Sequence, residues 1–249
     1  TELRKNRRPD IAVHTHPADF LRGLAELAGS GKGRWGAWFE TVRARERARD
    51  EEIAAQARAD GDRVDPIHLF RRIEQKMADD SVIVADGGDF VATGAYILKP
   101  RSPLSWLDPG VFGTLGVGGG FAVGAASVRS DAEVWVIWGD GSCAYSIAEI
   151  DTCVRHGLAP ICIVGNDASW AQIARDQVDL LGDDVGTCLV ETPYERVAEG
   201  YGGVGLRLDD PATVDETLEE AKRNARDGKP VLVNVRIAKS DFRKGSISI

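Results

Sequence analysis

The chain has 249 residues, 43% of them hydrophobic, and a formal net charge of −8 at pH 7. That is enough for one domain with a sizeable core plus an appendage, and the acidic balance argues against a nucleic-acid partner. No run approaches the roughly eighteen uninterrupted apolar residues of a membrane span and no signal-peptide pattern opens the sequence, so no membrane contact is expected.

Taken in order, Thr1 to Asp10 is charged and reads as a frayed end. Ile11 to Val13 has the composition of a short strand. Pro17 then opens a helix with Phe20, Leu24 and Leu27 on one face. Residues 1–30 thus read as the tail of a preceding, central domain. The glycine-rich stretch Gly29 to Gly33 breaks the helix, and Trp35, Trp38 and Phe39 begin a charged helix reaching about Asp60. Its Arg/Glu run reads as a solvated face with helical ion pairs, a linker over 31–63. The compact domain, 64–249, begins near Val64.

Pro66 opens a helix with Ile67, Phe70, Ile73 and Met77 on one side. Strand Val82 to Ala85 follows and stops at Asp86-Gly87-Gly88-Asp89. Two glycines at a strand end permit close backbone approach to a phosphate, although such a loop alone is more often a turn. The run Gly113 to Gly120 imitates a dinucleotide fingerprint. It fails that test because Pro103 to Phe112 is no clean strand, and a tightly packed helix start is the plain alternative.

The apolar run Val134 to Trp138 stops at Gly139-Asp140-Gly141-Ser142. A helix-period segment with Cys143, Ile147, Ile150 and Val154 closes near Gly157. A second apolar run, Ile161 to Val164, stops at Gly165-Asn166-Asp167. Strand, helix, strand implies a right-handed parallel crossover, so both strands deliver a carboxylate to the same sheet edge. Two hard oxygen donors beside a helix start suit Mg²⁺ carrying a diphosphate. A lone GDGS is usually a capped turn; the second carboxylate at the equivalent strand end makes the pair the signal.

A helix over Trp170 to Gln177 follows at the mouth of this edge, then a helix around Tyr194 to Glu199 and a strand Val204 to Leu208. A helix with Val214, Leu218, Ala221 and Ala225 inward ends at Gly228, and strand Val231 to Val235 completes the sheet. The fold class is therefore α/β, a doubly wound, mostly parallel sheet with helices on both faces. Cys143, Cys153, Cys162 and Cys188 show no metal-type spacing, and three fall in core segments, so reduced thiols and a cytoplasmic location are expected. None of the scattered histidines is assigned a role.

GDGS, then IAEIDT (147–152), then a strand ending in an Asn-bearing turn resembles the thiamine-diphosphate motif. With ADGGDF (85–90), YILKPR (96–101), WLDPGVFGTLGVGGG (106–120) and the closing DFRKGSISI, nearly the whole chain resembles the 2-hydroxyacyl-CoA lyases and the acetolactate-synthase-like proteins near them. The resemblance implies thiamine diphosphate and Mg as cofactors. It places the diphosphate beside Gly88, Asp89 and Phe90 and over Gly139, Asp140, Gly141 and Ser142. Other branches carry Gln-His where this chain has Asp89-Phe90. It places the aminopyrimidine on Gly113, Thr114 and Leu115, with the Gly113 carbonyl on the 4′-amino group and the Leu115 N–H on the ring nitrogen. The Leu115 side chain would wedge under a bent cofactor, whose bend brings its own base to C2. Metal ligands fall at Asp140, Asp167 and the main-chain carbonyl of Ser169. Many relatives have Asn-Asn where this chain has Asn166-Asp167, and Asn166 serves instead if the turn shifts by one residue. Glu149 reads as a buried structural acid.

Trp170, Gln172 and Ile173 become substrate-facing positions, and Arg243 and Lys244 either meet CoA phosphates or belong to a solvated terminus. The Met/Gln/Trp-containing stretch of acetolactate synthases is absent after the metal turn, which favours the lyase branch. The family also needs a glutamate from a pyrimidine-binding domain that this chain lacks. A complementary chain, in a dimer or tetramer of such pairs, is therefore expected, the chain being a subunit of a split enzyme or a fragment. The expected activity is cleavage or formation of a 2-hydroxyacyl-CoA from an aldehyde and formyl-CoA. An acetolactate synthase or a 2-oxo acid or oxalyl-CoA decarboxylase is the alternative. A non-catalytic cofactor-binding subunit is the alternative of another class, and a conventional NAD-binding module is a weaker one.

Overall fold

The computed structural model describes residues 3, 5–28 and 35–244. It divides into two units, Thr1–Glu51 and Glu52–Ile249. The first contains helix α1 (Pro17–Ala28) and most of α2 (Gly36–Gln56). No residue of α1 is buried, and Phe20, Leu24 and Leu27 are all exposed. Ile11 and Val13 are exposed and lie in no strand, contrary to expectation: a strand needs a neighbour for its backbone groups, and no described strand pairs with them. The charged helix ends at Gln56 rather than near Asp60. The glycine-rich break at 29–33 and the tail beyond residue 244 lie outside the described residues.

The second unit is built on six parallel strands: β1 (Val82–Asp86), β2 (Trp106–Leu107), β3 (Val134–Gly139), β4 (Ile161–Asn166), β5 (Val204–Leu208) and β6 (Val231–Arg236), in the order β2-β1-β3-β4-β6-β5. The expected doubly wound sheet is present. Its central strands β1, β3 and β4 are buried along their length, as strands covered on both faces must be, and this explains their unbroken apolar runs.

Successive side chains of a strand point to opposite faces, so each strand serves two cores. Trp135, Ile137, Ile161, Ile163 and Val233 pack with Phe70 and Ile73 of α3 (Pro66–Lys76) and Leu218 of α10 (Val214–Arg226). On the other face Val136, Trp138, Val164 and Leu232 pack with Ala122 of α5 (Gly118–Val128), Cys143 of α6 (Asp140–Ser146), Ile150 of α7 (Glu149–His156) and Ala198 of α9 (Tyr194–Gly200). Full burial of each such aliphatic or aromatic side chain stabilises by about 1.5–3 kcal/mol. Two further helices, α4 (Gly88–Gly94) and α8 (Ala171–Leu181), stand at the carboxyl edge.

Local signals explain the ends. Asp65 caps α3 by accepting from the His68 N–H at 2.7 Å, and Pro66 follows at the first helical position. Gly157 closes α7 with φ of 64°. The segment from Cys143 to Gly157 is nevertheless two helices, where periodicity suggests one. Gly119 of α5 lies so close to the Ser146 carbonyl that a methyl group there would collide with it. The Ile150 N–H turns instead to the Ile147 carbonyl at 3.0 Å.

Candidate functional site

The chain leaves β1 toward β2 on one side and returns to place β3 on the other, so the sheet switches direction between β1 and β3. Loops diverge at such a point and open a crevice at the carboxyl ends. A cleft of about 920 Å³ lies there, lined by Gly87 to Thr93 from β1 and α4, by Gly113 to Leu115, by Gly139 to Ser142, and by Asp167 and Ser169 to Arg175 beyond β4.

Its floor is shaped by backbone without side chains. Gly165 receives the ring of Phe90, which also stacks on Phe70 with centroids 4.5 Å apart. Gly141 receives the indole of Trp170, and Gly87 receives Leu115 Cδ2 together with Ser142. A Cβ at any of the three would displace its neighbour. Leu115, 37% exposed, therefore stands over the β1 loop with its tip toward the strand ends.

The carboxylates are the electrostatic centre. Gly139 pairs with Gly165 in the β3–β4 register, which sets Asp140 and Asp167 just past neighbouring strand ends. Asp140 is buried; its Oδ1 accepts from the Gly141 N–H at 2.8 Å and its Oδ2 from the Ser169 N–H at 3.3 Å. Burial pushes its carboxyl up to about 6 against the pull of those N–H groups. Burial pushes Asp167 up to about 6 as well, and the charge of Asp140 adds to the effect while Lys239 opposes it. Neither carboxylate forms an ion pair among the described residues.

Every residue expected to touch the cofactor lines this cleft: Gly88, Asp89, Phe90, Gly113, Thr114, Leu115, Gly139, Asp140, Gly141, Ser142 and Asp167. So do Ser169, Trp170, Gln172 and Ile173. Arg243 and Lys244 do not. Arg243 is buried with its guanidinium 5.9 Å from the Tyr96 ring centroid, and Lys244 is exposed. Asp89 faces Arg175 of α8 at 2.6 Å. Glu149 is half-buried beneath Gly119 rather than enclosed.

A family model described as the C-terminal TPP binding domain of thiamine pyrophosphate enzymes matches residues 86–235. The chain belongs to the thiamine pyrophosphate enzymes. It is 43% identical over 245 residues to 2-hydroxyacyl-CoA lyase 2 of Danio rerio and 42% over 246 residues to the Homo sapiens protein of that name, covering 97% of this chain and 39% of each relative. It is 33% identical over 221 residues to an acetolactate synthase large subunit of Mycobacterium tuberculosis, covering 87% of this chain. It therefore spans about 39% of the length of the relatives it matches. Among solved structures, a thiamine diphosphate-dependent 4-hydroxybenzoylformate decarboxylase of Rhodococcus jostii RHA1 shares the fold, with a TM-score of 0.67 at 24% identity over 75% of this chain and 35% of its own.

The residues present fit what a thiamine pyrophosphate enzyme must hold. The buried Asp140 and the half-buried Asp167 repel each other and call for a cation, and all the donors here are hard oxygens. Among the described residues no three His, Cys, Asp or Glu side chains form a metal cluster, so a third protein ligand would be a backbone carbonyl or an uncharged side-chain oxygen. The Ser169 carbonyl qualifies, because no described group donates to it. Ala168, at φ of 55°, turns the chain so that the Ser169 N–H meets Asp140.

Sequence reasoning missed several residues of this thiamine pyrophosphate enzyme. Asn166, the alternative ligand, does not line the cleft, and its Nδ2 donates to the Thr192 carbonyl at 3.0 Å and to Asn234 Oδ1 at 3.2 Å. Asn234 in turn donates to Glu195 Oε2 at 2.7 Å. This buried network holds the β4 turn from below, with Asn166 Oδ1 accepting from the Ala168 N–H at 3.3 Å. Tyr194 donates to the Asp140 carbonyl at 2.8 Å. Asp86 is buried at the end of β1 and accepts from the Gly116 and Gly118 N–H groups and from Trp138 Nε1. Burial pushes its carboxyl up, against those three donors. An acid beside glycines was the one signal for it, and that reads as a turn.

Proposed function

We propose that this chain provides the diphosphate- and metal-holding part of a thiamine-diphosphate- and Mg²⁺-dependent lyase that cleaves a 2-hydroxyacyl-CoA to an aldehyde and formyl-CoA, or joins them. The observation that carries this reading is the convergence of Asp140, Asp167 and Leu115 on one cleft. Identity to the lyases, 42–43% over 97% of the chain, supports that branch over the acetolactate synthases at 33% over 87%.

When bound, the cofactor supplies an acidic C2–H and an electron sink. This chain's part is to hold and to exclude. Asp140, Asp167 and the Ser169 carbonyl would hold the cation, and the Ser142 N–H at the start of α6 would face the diphosphate. Leu115 would support the bend, while Gly113 and Leu115 would offer backbone groups to the pyrimidine. Trp170, Gln172 and Ile173 give the substrate an aromatic and amide wall.

A complementary chain or domain carrying the pyrimidine-side glutamate completes the site, in a dimer or tetramer of such pairs; support comes from the 39% of each lyase that this chain spans. Four free thiols suit a reducing, cytoplasmic setting. The decisive assay feeds the assembled enzyme a 2-hydroxyacyl-CoA and, separately, pyruvate. Aldehyde and formyl-CoA from the first support the reading; acetolactate from pyruvate without CoA consumption overturns it. The presence of Leu115 in the same cleft as Asp140 and Asp167 favours a catalytic part over a subunit that only holds the cofactor.

A further inference from the structure

The carboxylate of Asp86 joins three segments far apart in the chain. Its Oδ1 accepts from the Gly116 N–H at 3.0 Å, and its Oδ2 accepts from the Gly118 N–H at 2.7 Å and from Trp138 Nε1 at 3.1 Å. The Asp86 carbonyl accepts from the Ser142 hydroxyl at 2.5 Å. One fully buried residue thus binds the loop just past Leu115, strand β3 and the helix that follows Asp140.

The contact depends on glycines. Gly116 has φ of 88° and faces the Tyr145 Cβ, 2.7 Å from where its own Cβ would stand. Gly118 lies against the Trp138 indole and 2.9 Å, by the same construction, from Asp86 Cβ. A side chain at either position would lift the loop off the carboxylate. Leu115 precedes the first of these anchored amides, and its Cδ2 rests over Gly87, the residue after Asp86.

We propose that Asp86 is a positioning residue that sets the height and direction of Leu115, and so the bend imposed on the cofactor. The inference rests on the reading of Leu115 given above. The chemistry is specific to a carboxylate. All three partners are N–H donors, and only an acceptor-only group satisfies them together. Asparagine in the same place would turn an NH₂ toward another N–H. Glutamate would push the loop outward by a methylene. Asp86 hydrogen-bonds to none of the three expected metal ligands, and it acts through the loop rather than on reacting atoms.

Amide hydrogen exchange on the cofactor-free protein tests this, with Asp86→Asn and Trp138→Phe as variants. Asp86→Asn is expected to speed exchange at Gly116 and Gly118 by about tenfold or more, the equivalent of losing charge-assisted hydrogen bonds. Amides of β3 and β4 should keep their protection. In the assembled enzyme at saturating cofactor, kcat should fall by roughly 100-fold, the cost of a small misplacement, while KM moves less. Unchanged exchange at Gly116 and Gly118 overturns the proposal, and so does faster exchange spread evenly over the sheet. If Asp86→Asn fails to fold, Trp138→Phe decides. It removes one of three donors, and slower turnover with local loosening at Gly118 supports the proposal, whereas wild-type exchange there overturns it. Calorimetric titration of the assembled wild-type enzyme with thiamine diphosphate and Mg²⁺ separates the two readings: no binding sinks the functional proposal whatever the exchange shows.

Discussion

The Ser169 N–H donates to Asp140 Oδ2 at 3.3 Å, a single contact that spans the ends of β3 and β4. It is possible because Ala168 adopts a left-handed conformation that non-glycine residues seldom hold. The turn after β4 is thereby fastened to the GDGS loop by protein groups alone. Asn166 and Asn234 hold the same turn from beneath. The site is preorganised.

Asp140→Asn keeps size and one oxygen but removes the charge a divalent cation needs. Calorimetry with thiamine diphosphate and Mg²⁺ should show affinity lower by more than the roughly 100-fold that changes outside the ligand shell produce. Far-UV circular dichroism should stay as in the wild type. Undiminished affinity would remove Asp140 from the ligand set.

Asp140 and Asp167 stand at about 6 in the folded chain, above an ordinary 3.8. Between those values the folded chain holds protons that the unfolded chain has released. Without metal, stability from this pair is therefore greatest at the acid end, falls as pH rises through the window, and is level above it. Mg²⁺ with cofactor competes with those protons. Its stabilisation, read as a shift in Tm, should be larger near neutrality than at about pH 5. An equal shift at both would refute the pairing.

Gly165→Ala places a methyl group inside the Phe90 ring. Overpacking of this kind costs about 1–3 kcal/mol, visible as a lower denaturant midpoint. Adding Phe90→Leu should restore part of the loss. Additive losses in the double variant would show that the ring is not the obstacle.

Asn234→Ala strips Glu195 of its 2.7 Å donor and Asn166 of an acceptor. Leaving such groups buried and unpaired costs about 1–3 kcal/mol. Because Asn166 holds the Ala168 N–H, Mg²⁺ affinity should fall as well. Stability lost with metal affinity intact would mean that the network supports the fold without supporting the turn.

What was legible in the residues was whatever local chemistry decides. The strands β3 and β4 announced themselves by β-branched runs ended by glycine, and Asp140 and Asp167 by their place beside those glycines. Helix α4 did not, because GDFVATG is short and carries no period. The break between α6 and α7 comes from α5, whose Gly119 presses on the Ser146 carbonyl. Asp86 and Arg175 were invisible for the same reason. Their partners are distant in sequence, and no spacing rule connects Asp86 to Gly118 or Arg175 to Asp89.

Parallel neighbours cannot be joined by a tight turn, and here β1 and β3 lie side by side although β2 and α5 come between them in the chain. Asp86 and Trp138 thus meet only once that whole excursion has been laid aside. The expected order of assembly is that ligand competence comes after the long-range pairing of the sheet rather than with its first helices. During refolding, the return of helical signal should precede the ability to capture coenzyme.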